Sequence, residues 1–214
     1  MSKDELSSER ILRAAADVLE REGALSMRRL AQELDVWPMA IYHYFRDKEA
    51  LLDALAARAA GGVALPAGAD SWREQLHALL RGARDAATGE VSSLTRAFLA
   101  PEGLRLSEAA LAILQGAGLD ERAAVRAWRA LWSYTFGFAM FRVAPSPAEA
   151  RRTVRAAIAA LPDDDYPTLL AAVQEMSSAL SDEDEFDHGL ELLLDGIEAG
   201  NPTLPASSTA RTAT

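Results

Sequence analysis

Asp35 and Val36 stand between two apolar patterns, each too short to hold a helix in isolation. On one side, Leu30, Ala31 and Leu34 recur at helical spacing within 27–34. On the other, the stretch "WPMAIYHYF" at 37–45 carries a proline near its start and is rich in large side chains. Ser26 is a good N-cap for the first helix, and Leu25 with Leu30 fits a hydrophobic staple. The reciprocal capping box fails, because Arg29 sits where Glu or Gln would reach back. Aspartate tolerates the left-handed backbone that a tight turn at 35–36 often needs. Pro38 suits the first turn of the next helix, where its missing N–H would be unpaired anyway. A preceding helix is expected at 8–22, where Ile11, Leu12, Ala15, Val18 and Leu19 share a face. Ser7 or Ser8 caps its start and Gly23 sits at its end. A fourth helix opens near Asp47 and runs to about Ala60. Two short helices joined by a tight turn under a third are the helix-turn-helix pattern, whose second helix enters the major groove of DNA.

A helical projection assigns the faces of that second helix. With Ile41 inward and 100° per residue, Phe45, Trp37 and Tyr44 fall on the inward side. Met39 and His43 point the opposite way, with Ala40 and Tyr42 on the flanks. The inward half is core and the outward half is a reading face.

The rest of the chain repeats the helical period. Patterns at about 70–88, 91–99, 104–116, 120–143, 147–160, 167–180 and 184–199 are separated by proline and glycine. No strand-like alternation and no internal repeat interrupts them. With alanine abundant, the expected fold class is all-α. The 214 residues suffice for two domains, with the helix-turn-helix in 1–60 and a larger helical domain in 61–200. The small polar tail at 201–214 is expected to be disordered.

Composition removes several function classes. The absence of cysteine excludes disulfides, thiolate metal sites and cysteine nucleophiles, and it suits a reducing cytoplasm. The polar start "MSKDELSSER" is not a signal peptide, and no apolar run reaches the ~18 residues of a membrane helix. A net charge of −10 argues against coating nucleic acid through bulk charge. The charge is uneven: residues 1–50 carry −2, residues 51–214 carry −8, and 26–48 alone carry +1.

The stretch "LSMRRLAQELDVWPMAIYHYFRDKEALLDALA", residues 25–56, resembles the DNA-binding domain of the TetR family of bacterial transcriptional regulators. Ala31, Tyr42, Phe45 and Lys48 with Leu51-Leu52 carry the likeness. "FDHGLELLLDGIEA" at 186–199 is similar to the last helix of the tetracycline-repressor-type C-terminal domain. The resemblance implies DNA contacts from Ser26, Arg28, Trp37, Met39, Ala40, Tyr42, His43 and Lys48. Ser26, Tyr42 and Lys48 would meet phosphates, Arg28 a guanine edge or a phosphate, and the others bases or sugars. Two departures stand out: Asp35 where the family usually has Gly, and Trp37-Pro38 where many members have Ser or Thr. Alone, Arg28 and Arg29 read as a solvated helix face, His43 as an exposed bystander and Tyr42 as core.

Residues 125–143 carry unusual aromatic weight. Trp128, Trp132, Thr135 and Ala139 share one face, and Tyr134, Phe138 and Phe141 another. The resemblance implies a ligand pocket on one side, lined by Trp128, Trp132 and Thr135, with Trp72, His77 and Met140 as further candidates. It implies a dimer interface on the other, formed by Tyr134, Phe138 and Phe141 with Phe186, Leu190, Leu193, Leu194 and Ile197. The plainer reading makes all of these intramolecular core. Dimerisation has an argument of its own: two recognition helices must sit ~34–36 Å apart to read a palindrome.

The resulting expectation is a cytoplasmic, homodimeric repressor of a palindromic operator, released by a small-molecule effector, with no cofactor, metal or catalytic residue. An activator would have the same sequence features. An all-helical enzyme is the rival, with His77, His188, Ser107, Asp163-Asp164-Asp165 and the acidic run at 182–187 as its candidates. Against it, successive histidines lie 34 and 111 residues apart, and no Gly-rich phosphate loop is present. A helical adaptor that binds protein is the second rival.

Overall fold

The first unit of the chain is built around the turn at Asp35. In the computed structural model, which describes residues 6–66, 71–87, 99–140, 147–179, 184–202 and 204–205, all regular structure is helical. Helix α1 spans Ser8–Glu22, α2 Met27–Leu34, α3 Pro38–Tyr42 and α4 Lys48–Gly62. Ser7 caps α1 by accepting from the Arg10 N–H at 3.2 Å, and Gly23 ends it at φ 68°. Ser26 caps α2 through the Arg29 N–H at 3.1 Å. Asp35 takes the left-handed conformation, φ 54° and ψ 47°, and its N–H and that of Val36 turn back to carbonyls of α2. Pro38 is the first residue of α3, and Asp47 caps α4 through the Ala50 N–H at 2.7 Å. These local signals agree with one another, which makes so short a motif foldable.

One core holds the four helices together. Ile11, Val18, Leu30, Ile41, Phe45 and Leu51 are all buried in it. Ion pairs reinforce its edge. Arg29 Nε meets Glu22 Oε1 at 2.8 Å, and its Nη2 meets Glu33 Oε2 at 2.8 Å. Arg21 reaches the same Glu33 oxygen at 2.9 Å, so the end of α1 is tied to α2. Arg58 of α4 reaches Glu9 of α1 at 3.1 Å.

Further along lie α5 (Trp72–Ala86), α6 (Pro101–Gly116), α7 (Glu121–Met140), α8 (Pro147–Ala159), α9 (Pro167–Ala171), α10 (Val173–Ala179) and α11 (Asp184–Ala199). The described residues form two compact units. One lies within Met1–Pro66 and Arg81–Ala110, the other within Ala67–Leu80 and Leu111–Thr214. The helix expected at 91–99 lies outside the described residues apart from its last position, as do residues 141–143 and most of the tail.

Three boundaries differ from the apolar pattern. Helix α6 starts at Pro101, not 104, because proline fits a first helical turn. The pattern at 167–180 is two helices, broken at Ala172, whose φ −90° and ψ 1° leave the α-helical ladder. Helix α4 continues through Gly61 to Gly62 instead of stopping near Ala60. Its exposed last turn is satisfied from outside: Arg105 Nη2 donates to the carbonyls of Ala60, Gly61 and Val63 at 3.1, 3.2 and 2.9 Å. Sequence spacing carries no trace of that cap.

Two outcomes test this account. A β-branched side chain cannot share the left-handed turn, so Asp35→Val is expected to cost about 1–2 kcal/mol in urea denaturation. Asp35→Gly should stay within about 1 kcal/mol of the parent, because glycine takes that conformation without a steric penalty. The second outcome concerns pH. Hydrogen bonds from Arg21 and then Arg29 hold the Glu33 carboxyl below its ordinary value. A depressed carboxyl contributes stability above the ordinary carboxylate range and loses it as pH falls through the native value. Glu33→Gln should therefore be less stable than the parent at neutral pH, with the gap closing on acidification.

Candidate functional site

Helix α3 divides its residues sharply between core and solvent. Ile41 is 0% exposed and Phe45 is buried just beyond the helix end. Met39 is 66% exposed, and Tyr42 and His43 are also exposed, with Ala40 half-buried. Trp37 departs from the projection. It is 85% exposed, not inward with Ile41. The reason is local: Trp37 is the N-cap, with ψ 142°, so its side chain does not follow the 100° step of the helix it precedes. Tyr44 is likewise outside the five-residue helix and partly exposed, and its hydroxyl donates to the Leu6 carbonyl. The face opposite Ile41 thus carries a tryptophan, a methionine, a phenol and an imidazole.

The cations around this face differ in how they are committed. Arg29 is engaged with Glu22 and Glu33, which hold its guanidinium above the ordinary value. Arg46 pairs with Asp47 at 3.1 Å. Arg28, next to Arg29 in sequence, is exposed and makes no ion pair with the described residues. Ser26 is exposed at the start of α2, its hydroxyl already bonded to the Arg29 N–H. Lys48 is half-buried as the first residue of α4. The segment therefore sets Ser26, Arg28 and Lys48 at helix starts and Trp37, Met39, Tyr42 and His43 on the outward side of α3. This arrangement offers cations and helix N-termini to phosphates and a largely apolar strip to a groove.

In the second unit, Trp128 and Trp132 lie 5.1 Å apart between ring centroids, and Trp132 lies 5.5 Å from Phe136. The Trp128 ring is buried, and its indole N–H meets no acceptor among the described residues. A buried donor without a partner costs about 1–3 kcal/mol unless something supplies an acceptor. Thr135 is buried, and its hydroxyl is spent on the Leu131 carbonyl at 2.9 Å. Trp72 is buried on α5. His77 faces α11: its Nε2 lies 2.6 Å from Glu191 Oε1 and its Nδ1 3.9 Å from Asp187 Oδ1. The Met140 side chain lies outside the described residues.

The stripe on α11 proves to be covered by its own chain. Phe186, Leu190 and Leu194 are fully buried there. Tyr134 stacks on Phe186 at 5.5 Å, and Phe138 meets the same ring edge-on at 5.2 Å. The expectation that Phe186, Leu190 and Leu194 face a partner is corrected accordingly. Periodicity identifies a shared face but not the element that covers it. Leu193 and Ile197 are half-buried, and Leu192, not anticipated from the stripe, is 61% exposed. Phe141 lies outside the described residues.

The strongest polar feature of this unit has no motif behind it. Arg73 of α5 is mostly buried and donates to Glu191, Asp195 and Glu198 on α11, at 2.7 Å to the last two. Burial works against its charge, but bonds to Glu191 and Asp195 outweigh it and hold the guanidinium above its ordinary value. The i, i+4, i+7 spacing of the three carboxylates is readable, but their distant arginine is not. Of the residues an enzyme would use, Ser107 is buried and bonds the Gly103 carbonyl, while His188 and Asp163–Asp165 are exposed. Among the described residues no cluster of three His, Asp or Glu could hold a metal, and no helix is long and apolar enough to cross a membrane.

The junction of α7 and α11 yields a sharp prediction. The Tyr134 hydroxyl donates to the carbonyls of Glu185 and Phe186 at 3.1 and 3.0 Å. A Cβ on Gly189 would lie 2.2 Å from that hydroxyl and 2.6 Å from the ring. Gly189→Ala should displace the ring and cost about 1–3 kcal/mol. Tyr134→Phe, which loses only the hydrogen bonds, should cost about 1 kcal/mol. In the double variant the penalties should fall short of their sum, as chemical denaturation would show.

The chain matches the family model of bacterial regulatory proteins of the tetR family over residues 11–55, and the tetracyclin repressor-like C-terminal domain over 65–200. It is 30% identical to the class D tetracycline repressor protein of Escherichia coli, over 90% of this chain and 89% of that one. Among solved structures, it is similar to the TetR family protein ActR of Streptomyces coelicolor in complex with actinorhodin. That likeness has a TM-score of 0.67 and 27% identity, and covers 92% of this chain and 98% of ActR. BioQ with its natural double-stranded DNA operator gives a TM-score of 0.61 and 27% identity, over 91% of this chain and 99% of BioQ. With matches running through both units, this chain belongs to the TetR family of bacterial regulatory proteins.

Proposed function

We propose that the chain is a ligand-responsive transcriptional repressor, a cytoplasmic homodimer that binds a palindromic operator and is released by a small molecule. The observation that carries this reading is the division of α3, with Ile41 buried and Met39, Tyr42 and His43 turned to solvent. A helix held by its inner half and solvated on its outer half is what major-groove docking requires. Ser26, Tyr42 and Lys48 take phosphates in this reading. Arg28 takes a guanine edge or a phosphate, and Trp37, Met39, Ala40 and His43 meet bases. The BioQ complex supports the operator as partner.

The effector enters between the helices of the second unit, against Trp128 and Trp132. The buried indole N–H of Trp128, which meets no acceptor among the described residues, supports this placement, since a ligand oxygen would satisfy it. Thr135, Trp72 and His77 belong to the same proposed region. The complex of ActR with actinorhodin supports a small molecule as effector. Pairing of two chains draws on Leu192, Leu193 and Ile197 of α11, with Tyr134 and Phe138 contributed from α7. Release follows from linkage. A ligand that prefers the arrangement with wrongly spaced recognition helices weakens DNA binding, and DNA weakens the ligand by the same factor, typically ~5–150-fold. No step of this mechanism needs a catalytic group or a cofactor.

The test is fluorescence anisotropy of the protein on its own upstream DNA against a scrambled duplex, across a salt series. Sequence-dependent binding that weakens with salt is expected. Arg28→Ala should weaken it by about 1–3 kcal/mol if the guanidinium reads a guanine, or lower the salt slope by about 1 if it holds a phosphate. Tyr42→Phe should weaken binding without changing sequence preference. Equal affinity for both duplexes at every salt concentration, from a folded dimer, would overturn operator binding at that site.

A further inference from the structure

We infer that this regulator reads thymine C5-methyl groups through Trp37 and Met39, and that the pair sets its operator preference. The inference rests on the DNA-binding reading above and adds to it the chemical feature that is recognised.

The outward face lacks the usual base-reading cations and amides. The nearby guanidiniums of Arg29 and Arg46 are bound to carboxylates of their own chain. Arg28 lies on α2, not on the reading helix. On α3 and its caps the outward groups are the Trp37 ring, the Met39 thioether, the Ala40 methyl, the Tyr42 phenol and the His43 imidazole. None is a bidentate partner for guanine or adenine, a role that falls to Arg, Lys, Asn or Gln. Within the major groove the apolar feature is the thymine methyl, and apolar side chains read it by contact.

Trp37 and Met39 are the two most exposed large apolar side chains among the described residues, and they lie two positions apart at the start of the same helix. That start is the part of a recognition helix that approaches base edges. An apolar surface left in water at such a place gains by covering methyl groups, about 0.8 kcal/mol per buried methyl-sized unit. Pro38 between them fixes its own φ, which narrows the backbone freedom between the two positions. The indole carries one edge N–H, but its contact area is overwhelmingly apolar.

The test removes the methyl and nothing else. The wild-type chain selects duplexes from a random library. The best duplex is then made with deoxyuridine for thymidine, which leaves every base-pairing and groove hydrogen-bonding group in place. Anisotropy titrations at one salt concentration compare wild type, Trp37→Ala and Met39→Ala on both duplexes. Both positions are solvent-exposed, so the variants should fold as the parent does, which thermal unfolding checks. Wild type should lose roughly 4-fold in affinity per contacted methyl, and ~15-fold for a symmetric pair of half-sites. Each variant should bind the thymine duplex more weakly and lose part of this sensitivity, and the double variant should bind both duplexes alike. Equal wild-type affinity for the two duplexes would overturn the inference, as would full methyl discrimination in the double variant. Enrichment of a sequence with no methyl effect contradicts this inference alone. Failure to enrich any sequence contradicts operator binding and this inference with it.

Discussion

A five-residue helix has no stability of its own; α3 exists because Ile41 is buried completely among residues of α1, α2 and α4. Everything that faces outward from α3 is placed by that contact. The left-handed Asp35 sets where α3 begins, and Phe45 fixes the chain again as it leaves. A helix so dependent on its underside has little freedom to shift along its axis, which holds its outer side chains in one register.

Electrostatics gives this chain an unusual balance for a DNA-binding protein. The whole carries −10, and much of the positive charge near the motif is committed to internal pairs. Two neighbouring arginines on α2 take opposite fates. Arg29 turns toward Glu22 and Glu33, whereas Arg28 stays exposed. Weak bulk attraction lowers non-specific affinity, so discrimination rests on the fit of a small face. On α11 the same economy appears in reverse, with one arginine serving three carboxylates.

Local chemistry made the first unit legible. Ser26, Asp35, Pro38 and Asp47 each announce a cap or a turn by residue type, and each does so within four residues of its effect. A helical projection turns Trp37 inward because it extends helical angles to a residue that is not yet helical. The second unit was legible as helices but not as contacts. The cap that Arg105 places on α4 and the clamp that Arg73 places on α11 join residues more than 40 and more than 110 positions apart, beyond any spacing rule. The apolar stripe of Phe186, Leu190 and Leu194 was visible, but only packing reveals that α7 covers it.

The distribution of tryptophan has an optical consequence. Trp37 stands in water on the reading helix, while Trp72 and Trp128 are buried in the other unit and Trp132 is half-buried beside Trp128. Indole emission shifts to longer wavelength with solvent exposure, so Trp37 is expected to emit to the red of Trp72 and Trp128. On the proposed reading, DNA on α3 would act on the red component and a ligand near Trp128 on the blue. An unlabelled chain would then report DNA binding and ligand binding through different tryptophans in a stopped-flow trace.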